Sequence, residues 1–387
     1  MPIRIGLLVP YSSIYPQLSG SLVSGVYAAL PPALVKSGFF EFIPEYVKQG
    51  SQKDVEEAVK KLLFFHQADI IAGLVNYKTA KGLVPFIESA NRIGFFTDMG
   101  ECIPSEELQS KHVFFNSFQF WQSEYALGYW AQQQFGDKGV VVMSMYDAGY
   151  HLQSAFRQGA IKAGATIMDY EILHGGDMRQ SMVQQHIHLF LEKMQAAPPA
   201  YIHVIVCGTE AVEFLKAYKA STLNGNVPLM ISTHMAAEEI LQQVADLQLE
   251  CYAAPMYNYD SDEKNNTGFK KAYLRLTGKK PDVFALLGYE MGLVLTALFP
   301  ELQKRDWAKV QQLLQSQVIR SPRGERSFYL DSSYKQPLID IEKIQLGTGA
   351  VTRLVIAQGQ CLDYNHEIFK QIHHENVSGW QNPYLCV

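Results

Sequence analysis

Apolar positions in this chain fall into short continuous runs that alternate with stretches of helical spacing. Ile3-Arg4-Ile5-Gly6-Leu7-Leu8-Val9 reads as a buried strand running into Pro10-Tyr11-Ser12-Ser13-Ile14-Tyr15-Pro16, a loop of hydroxyls and aromatics. Residues 20–35 then have helical spacing, with small side chains suited to packing on a sheet. The pattern predicts strands at 40–43, 69–73 and 93–97, and helices at 52–66, capped by Ser51, and at 78–91. Buried strands alternating with helices predict an open parallel sheet covered on both faces.

The pattern then restarts. Residues 112–116 are strand-like, 119–135 helical, and 139–143 open a second series. It continues as helix 152–163, strand 166–172, a helix from Gln180, strand 201–206, a helix from Glu210, and strands at 228–231 and 250–254. A second series of similar length predicts a second lobe, with a crossing near residues 116–122. Beyond residue 260 helices are expected at 264–276, 283–302 and 307–316, then strands at 328–330, 338–345 and 351–357. Tyr364, Phe369, Trp380 and Tyr384 in the tail imply that it packs on the body. No run of about 18 apolar residues stands out, so no membrane-spanning helix is expected.

With 387 residues, 48% hydrophobic and 18% charged, the chain suits two ordinary domains rather than extensive disorder. A formal net charge of −5 gives no reason to expect nucleic acid or an anionic membrane as a partner. Met1-Pro2 leads directly into a strand, without the basic and apolar regions of a secretory leader. The chain is therefore expected to be cytoplasmic, or to have lost a leader. Cys102, Cys207, Cys251, Cys361 and Cys386 contain no CxxC, and Cys207 reads as a small buried hydrophobe. In an oxidising compartment a Cys361–Cys386 bridge would close a loop in the tail; in the cytosol the thiols would stay reduced.

Catalytic signatures do not complete themselves. No GxGxxG follows the first strand, no GxxxxGK[ST] occurs, and residues 20–25 lack the spacing of a nucleophile elbow. His366-Glu367 begins like HExxH, but Lys370 stands where the second histidine belongs. His186 and His188 diverge on a helix, and His373 and His374 are adjacent. No enzyme, metal or cofactor is expected.

The carboxyl ends of the predicted strands hold the distinctive chemistry. The first offers Tyr11, Ser12 and Tyr15, the third Asn76 and Tyr77, and the fourth Asp98, Met99 and Glu101. The second series offers Tyr146, Asp147 and Tyr150, then Thr209 and Glu210, then Ser232, Thr233 and His234. Each could merely cap a helix or pack, but their recurrence on both lobes describes a cleft for a small polar molecule.

Taken with Ala72-Gly73-Leu74-Val75-Asn76-Tyr77, Tyr146-Asp147-Ala148-Gly149-Tyr150, Ala155-Phe156-Arg157-Gln158-Gly159 and Gly288-Tyr289-Glu290-Met291-Gly292, the opening strand resembles that of type I periplasmic binding proteins, specifically the branched-chain amino acid and amide-binding group. The resemblance implies an α/β fold of two Rossmann-like lobes, each a parallel sheet flanked by helices. Three hinge crossings would join them, near residues 116–122, 250–256 and 326–332. Lobe 1 would be residues 1–118 with 254–328, and lobe 2 residues 119–253 with 329–387. It further implies non-catalytic ligand binding with hinge closure, a periplasmic location and an ABC permease as partner. A leaderless cytoplasmic sensor controlling a regulator is the alternative. Phe120 and Trp121 stand where the family has an acidic ammonium anchor, leaving Asp147 or Glu210 as substitutes. Asp98 and Glu101 flank Met99 at the family's carboxylate-binding spot and would repel a carboxylate or have to be protonated. A neutral or cationic amide or amine, with aromatic contacts from Tyr77, Trp121 and Tyr150, is the ligand this pattern anticipates.

Overall fold

Five parallel strands form the first sheet, and their order places the chain's opening run inside it, second from one edge. The computed structural model describes residues 2–12, 15–104, 110–144, 150–173, 180–328 and 338–375. The expectations for Tyr146, Asp147, the strand beyond Phe328, Trp380, Tyr384 and Cys386 lie outside these residues. The first series comprises β1 (Ile3–Val9), α1 (Leu18–Ala29), α2 (Pro32–Ser37), β2 (Phe40–Tyr46), α3 (Gln52–Lys60), β3 (Ile70–Leu74), α4 (Tyr77–Ser89), β4 (Ile93–Asp98) and β5 (Val113–Ser117). Its sheet runs β2-β1-β3-β4-β5.

The expected helix over 20–35 is two helices. Leu30 is extended (φ −70°, ψ 133°) because Pro31 follows it, and Pro32 sits in the first turn of α2 where its missing N–H costs nothing. The helix from Gln52 keeps its expected cap, with the Ser51 hydroxyl accepting from the Asp54 N–H, and finishes in a π turn at Lys61–Phe65.

The second series comprises α5 (Phe120–Phe135), β6 (Gly139–Ser144), α6 (Leu152–Lys162), β7 (Met168–Leu173), α7 (Gln180–Ala196), β8 (Tyr201–Ile205), α8 (Gly208–Ala220), β9 (Leu229–Ile231), α9 (Glu238–Leu241) and β10 (Leu249–Ala253). The chain continues through α10 (Lys264–Thr277), α11 (Val283–Lys304), α12 (Trp307–Ser316), the short hairpin β11 (Ile319–Ser321) and β12 (Gly324–Arg326), β13 (Asp340–Gly347), β14 (Ala350–Gln358) and α13 (His366–His374). The second sheet has the order β14-β13-β10-β9-β8-β6-β7, parallel from β7 to β10 and antiparallel where β13 and β14 are added. The late chain thus returns to the second sheet.

Two helix pairs with glycine at their contacts brace the sheets. A Cβ on Gly288 of α11 would stand 1.9 Å from the Leu22 carbonyl of α1, and one on Gly128 of α5 would stand 2.0 Å from the Phe156 carbonyl of α6. Only glycine permits so close a backbone approach. One expectation needs correction here: α11 is long and apolar enough to cross a membrane by length and composition, with mean hydropathy 1.7. It is instead a core helix, 61% buried over that window and packed on α1. The described part of the tail reaches residue 375. Phe369 and Ile372 of α13 are buried with Ile103, Trp121 and Tyr125, and the Gln122 side chain exchanges two 2.8 Å hydrogen bonds with the Leu362 backbone.

Candidate functional site

β4 ends at Asp98, and the segment beyond it runs under the beginnings of two helices. Phe118, Phe120 and Trp121 donate backbone N–H bonds to the carbonyls of Asp98, Met99 and Gly100, at 2.8, 3.1 and 2.9 Å. His151, which precedes α6, donates its N–H to the Glu101 carbonyl at 2.9 Å, and its Nδ1 accepts from the Ile103 N–H at 3.1 Å. Gly100 makes this crossing possible: its φ is +78°, and a Cβ there would meet the Gln119 nitrogen at 2.3 Å.

These constraints place two acidic side chains inside the protein. Asp98 and Glu101 are each only 1% exposed. The Asp98 carboxyl lies beside the Ser117 hydroxyl and the Tyr77 N–H, sealed from solvent. Burial pushes its pKa up to about 7, although the Ser117 hydroxyl, the Arg323 charge and the Tyr77 N–H pull the other way. The adjoining Cys102 thiol is also pushed up, by burial and by the Glu101 and Asp98 charges. Burial, with His373 and Lys78 nearby, holds His151 down to about 3 and therefore neutral. At the starts of α5 and α6, Trp121 Nε1, Ser123 Oγ and both amide atoms of Gln153 are buried without hydrogen bonds among the described residues.

An ion cluster centred on Glu290 stands nearby. Glu290 on α11 is completely buried and receives Arg323 Nε and Nη2, and Asn116 Nδ2, each at 2.8 Å. Its pKa is lowered even though desolvation opposes this, because Arg323, Arg326 and Asn116 favour the charged form. Arg323 and Arg326 both donate to the Ser117 carbonyl at 3.0 Å, and Arg326 also donates to Gln119 Oε1 at 2.8 Å. Together they pin the β5–α5 link, where Gln119 adopts a left-handed φ of +59°.

A cavity of about 500 Å3 adjoins this framework. Its lining takes Tyr15 and Met99 from the first sheet's strand ends, Phe118 and Phe120 from the β5–α5 link, and Thr233 and His234 from beyond β9. Tyr257 and Tyr259 beyond β10, Asp282 and Phe284 at the start of α11, and Glu342 and Arg353 of β13 and β14 complete it. Aromatic edges hold the walls: Tyr15 meets Phe284 at 5.5 Å, Phe118 meets Phe120 at 5.5 Å, and Phe120 meets the His234 ring at 4.6 Å. Burial holds His234 down to about 3, so it is a neutral wall residue. Asp282 caps α11 and accepts from the Ser21 hydroxyl at 2.7 Å, and Glu342 pairs with Arg353 at 3.1 Å. The volume suits a small solute.

Of the residues anticipated from sequence, Tyr15, Met99, Phe120, Thr233 and His234 line this cavity. Asp98, Glu101 and Trp121 lie in the buried polar set beside it, and Tyr150 is buried just before α6. Asn76 is buried as the cap of α4, accepting from the Thr79 N–H at 2.8 Å, while Tyr77 packs 4.5 Å from the Phe115 ring. The Ser12 hydroxyl accepts from the Tyr15 N–H, and Tyr11 is 48% exposed. Thr209 is exposed and Glu210 half-buried at the start of α8, with the Glu210 pKa raised by burial. Asp147 lies outside the described residues. Sequence reading did not anticipate Arg323, Arg326, Tyr257, Tyr259, Asp282, Phe284, Glu342 or Arg353 at the site. The turn signal Ser321-Pro322-Arg323-Gly324 could have located the arginine hairpin. Cysteine also needs correction: Cys361 carries a thiol, raised to about 11, so it forms no bridge with Cys386, and Cys207 is disulfide-bonded.

Two sheets with a cavity at their strand ends and links form the framework of this site. The chain belongs to the periplasmic binding protein family, whose model matches residues 2–337. It is a binding protein and not an enzyme. Its fold is similar to a solute-binding protein of an ABC transporter from R. palustris in complex with benzoate (22% identity, TM-score 0.71, covering 94% of this chain and 98% of that one). It is similar also to an ABC transporter substrate-binding protein from Sphaerobacter thermophilus (21%, TM-score 0.76, 92% and 98%). A branched-chain amino acid transporter substrate-binding protein from Streptococcus pneumoniae in complex with isoleucine matches at 14% identity, TM-score 0.69, covering 92% and 99%. No curated protein matches the chain.

Proposed function

We propose that this protein is the substrate-binding component of an ABC uptake system, delivering a small polar solute to a membrane permease. The solute, an amide, an amine or an amino-acid-like molecule, is held in a cleft between residues 1–118 with 254–328 and residues 119–253 with 329–387. Hinge motion at the three links closes the lobes on it. The observation that carries this reading is the composition of the cavity wall, which draws on the strand ends of both sheets and on two of the links between them. Tyr15, Met99, Phe120 and His234 contact the solute, with Asp98 and Glu101 at its polar end. A periplasmic location fits the family, and the Cys207 half-cystine supports an oxidising compartment.

Two measurements test the proposal. Native mass spectrometry of the purified protein is expected to show a small molecule retained by the folded chain and lost on denaturation. Small-angle scattering is expected to show compaction when that molecule is returned to stripped protein. Absence of both a retained molecule and any compaction across a metabolite panel overturns the reading.

A further inference from the structure

We infer that Arg326 is a positioning residue for solute binding. It ties the first and third links together and holds the left-handed turn at Gln119 that sets Phe118 and Phe120 on the cavity wall. The inference rests on the solute-binding reading above and names a residue that acts on the site without lining it.

Among the described residues, eight other than glycine have a positive φ, and seven of them, such as Lys48, Asn91 and Thr348, are exposed. Gln119 alone is buried, at 0% exposure with φ +59°. That conformation is strained for a residue with a side chain, and strain inside a protein persists only where the surroundings hold it. Within its own segment, the Gln119 N–H donates to Ser117 Oγ at 3.0 Å, and its carbonyl accepts from the Gln122 N–H at 2.8 Å. Among the described residues, the hydrogen bond that reaches it from elsewhere in the chain comes from Arg326. Arg326 Nη2 donates to Gln119 Oε1 at 2.8 Å and to the Ser117 carbonyl at 3.0 Å. Arg326 is itself 1% exposed. Its guanidinium is planar and rigid, so the two acceptors are fixed relative to one another.

The two neighbours of Gln119 belong to the cavity wall. Phe118 and Phe120 donate their N–H groups to the Asp98 and Met99 carbonyls and meet edge to face at 5.5 Å. Both line the cavity, whereas neither Gln119 nor Arg326 does. The backbone between the two rings passes through Gln119, so a change of its φ would turn one ring away from the other. Arg326 ends β12 and stands two residues before Phe328, whose carbonyl accepts the Phe115 N–H of β5 at 3.1 Å. The first and third links thus lie side by side and bonded, and a hinge motion must carry them, with the wall, as one body. Arg323 of the same hairpin stands 4.6 Å from the centre of the Phe118 ring, a second support for the wall.

The probe is the low-molecular-weight fraction released by denaturing the parent protein, titrated back into stripped protein, with the bound fraction read by native mass spectrometry. Where nothing is retained, the metabolite-panel member that gives compaction takes its place. Titrations are run at a temperature where circular dichroism shows every variant fully folded. Arg326→Met is expected to raise the half-saturating amount about ten-fold or more. It should also speed amide exchange in residues 116–122 while leaving β1, β3 and β8 protected. Adding Gln119→Gly to Arg326→Met is expected to recover about three-fold or more, because glycine takes a φ of +59° without strain. A loss of stability alone gives no such recovery. Arg326→Lys keeps the charge without the planar fork and should bind between the parent and Arg326→Met. If Arg326→Met does not fold, Arg326→Lys carries the same comparison with Gln119→Gly. Half-saturation within about two-fold of the parent, or a loss that glycine does not recover, overturns the inference and leaves the solute-binding reading standing. If the parent retains no molecule and no panel member compacts it, both fall.

Discussion

Glu290 and Asp98 are both acids sealed inside the first sheet's side of the molecule, and they behave in opposite ways. Glu290 is surrounded by donors on a core helix, so its charge is held and its pKa falls. Asp98 ends a strand, and burial raises its pKa to about 7 despite the Ser117 hydroxyl, the Arg323 charge and the Tyr77 N–H. Burial is the same; hydrogen bonding differs. Glu290 is therefore held as a charge by its partners, whereas burial shifts Asp98 toward its neutral form.

The largest expected effect comes from breaking the satisfied partner. Arg323→Met strands Glu290 and should cost roughly 3–5 kcal/mol in urea unfolding. An unchanged midpoint would contradict the structural role of the pair. Next comes the opposite sign. Because the folded pKa of Asp98 lies above its ordinary value of 3.8, its contribution is fully present below about pH 4 and lost as pH rises to about 7. The charged and polar groups acting on it are Arg323, Ser117 and the Tyr77 N–H, with Glu101 and Cys102 in its own segment. Solute-free Asp98→Asn should therefore be more stable than the parent at pH 8, by roughly 4 kcal/mol at most, and no more stable near pH 4. Glu290, with its lowered pKa, has the reverse dependence, adding stability above the ordinary carboxylate range and losing it as pH falls.

Smaller effects extend the comparison to neutral groups. Gln122→Leu removes the two bonds to the Leu362 backbone and should cost about 2 kcal/mol, with faster amide exchange in α13 as the local signature. Asn76→Ala removes the α4 cap and should cost about 1 kcal/mol, recovered mostly by Asn76→Ser. If Asn76→Ser restores stability but not solute affinity, Asn76 also touches the solute.

Much of the fold was legible because buried parallel strands announce themselves as apolar runs. The strand ends were legible for the same reason, and with them Asp98, Met99 and Glu101. Whether those acids were satisfied could not be read, because their partners are remote in sequence. Arg323 reaches Glu290 and the Ser117 carbonyl through a hairpin of three-residue strands, too short for a periodic signal. Tyr257 and Phe284 joined the cavity only through the link beyond β10 and the packing of α11 on α1. The break at Pro31-Pro32 was local and visible, and the helical spacing on either side obscured it.

The paired carboxylate on α11 has a further consequence for the unfolded chain. Before folding, Val283–Lys304 has the length and apolarity of a bilayer-spanning segment. An insertion machinery weighing that segment meets Glu290 without Arg323, and an acidic group near the centre of such a stretch disfavours insertion by roughly 2–3 kcal/mol. A Glu290→Leu chain is accordingly expected to enter membranes more readily in a translocation assay. The residue that neutralises an arginine in the finished protein thus also acts earlier, as a barrier to misrouting of the unfolded polypeptide.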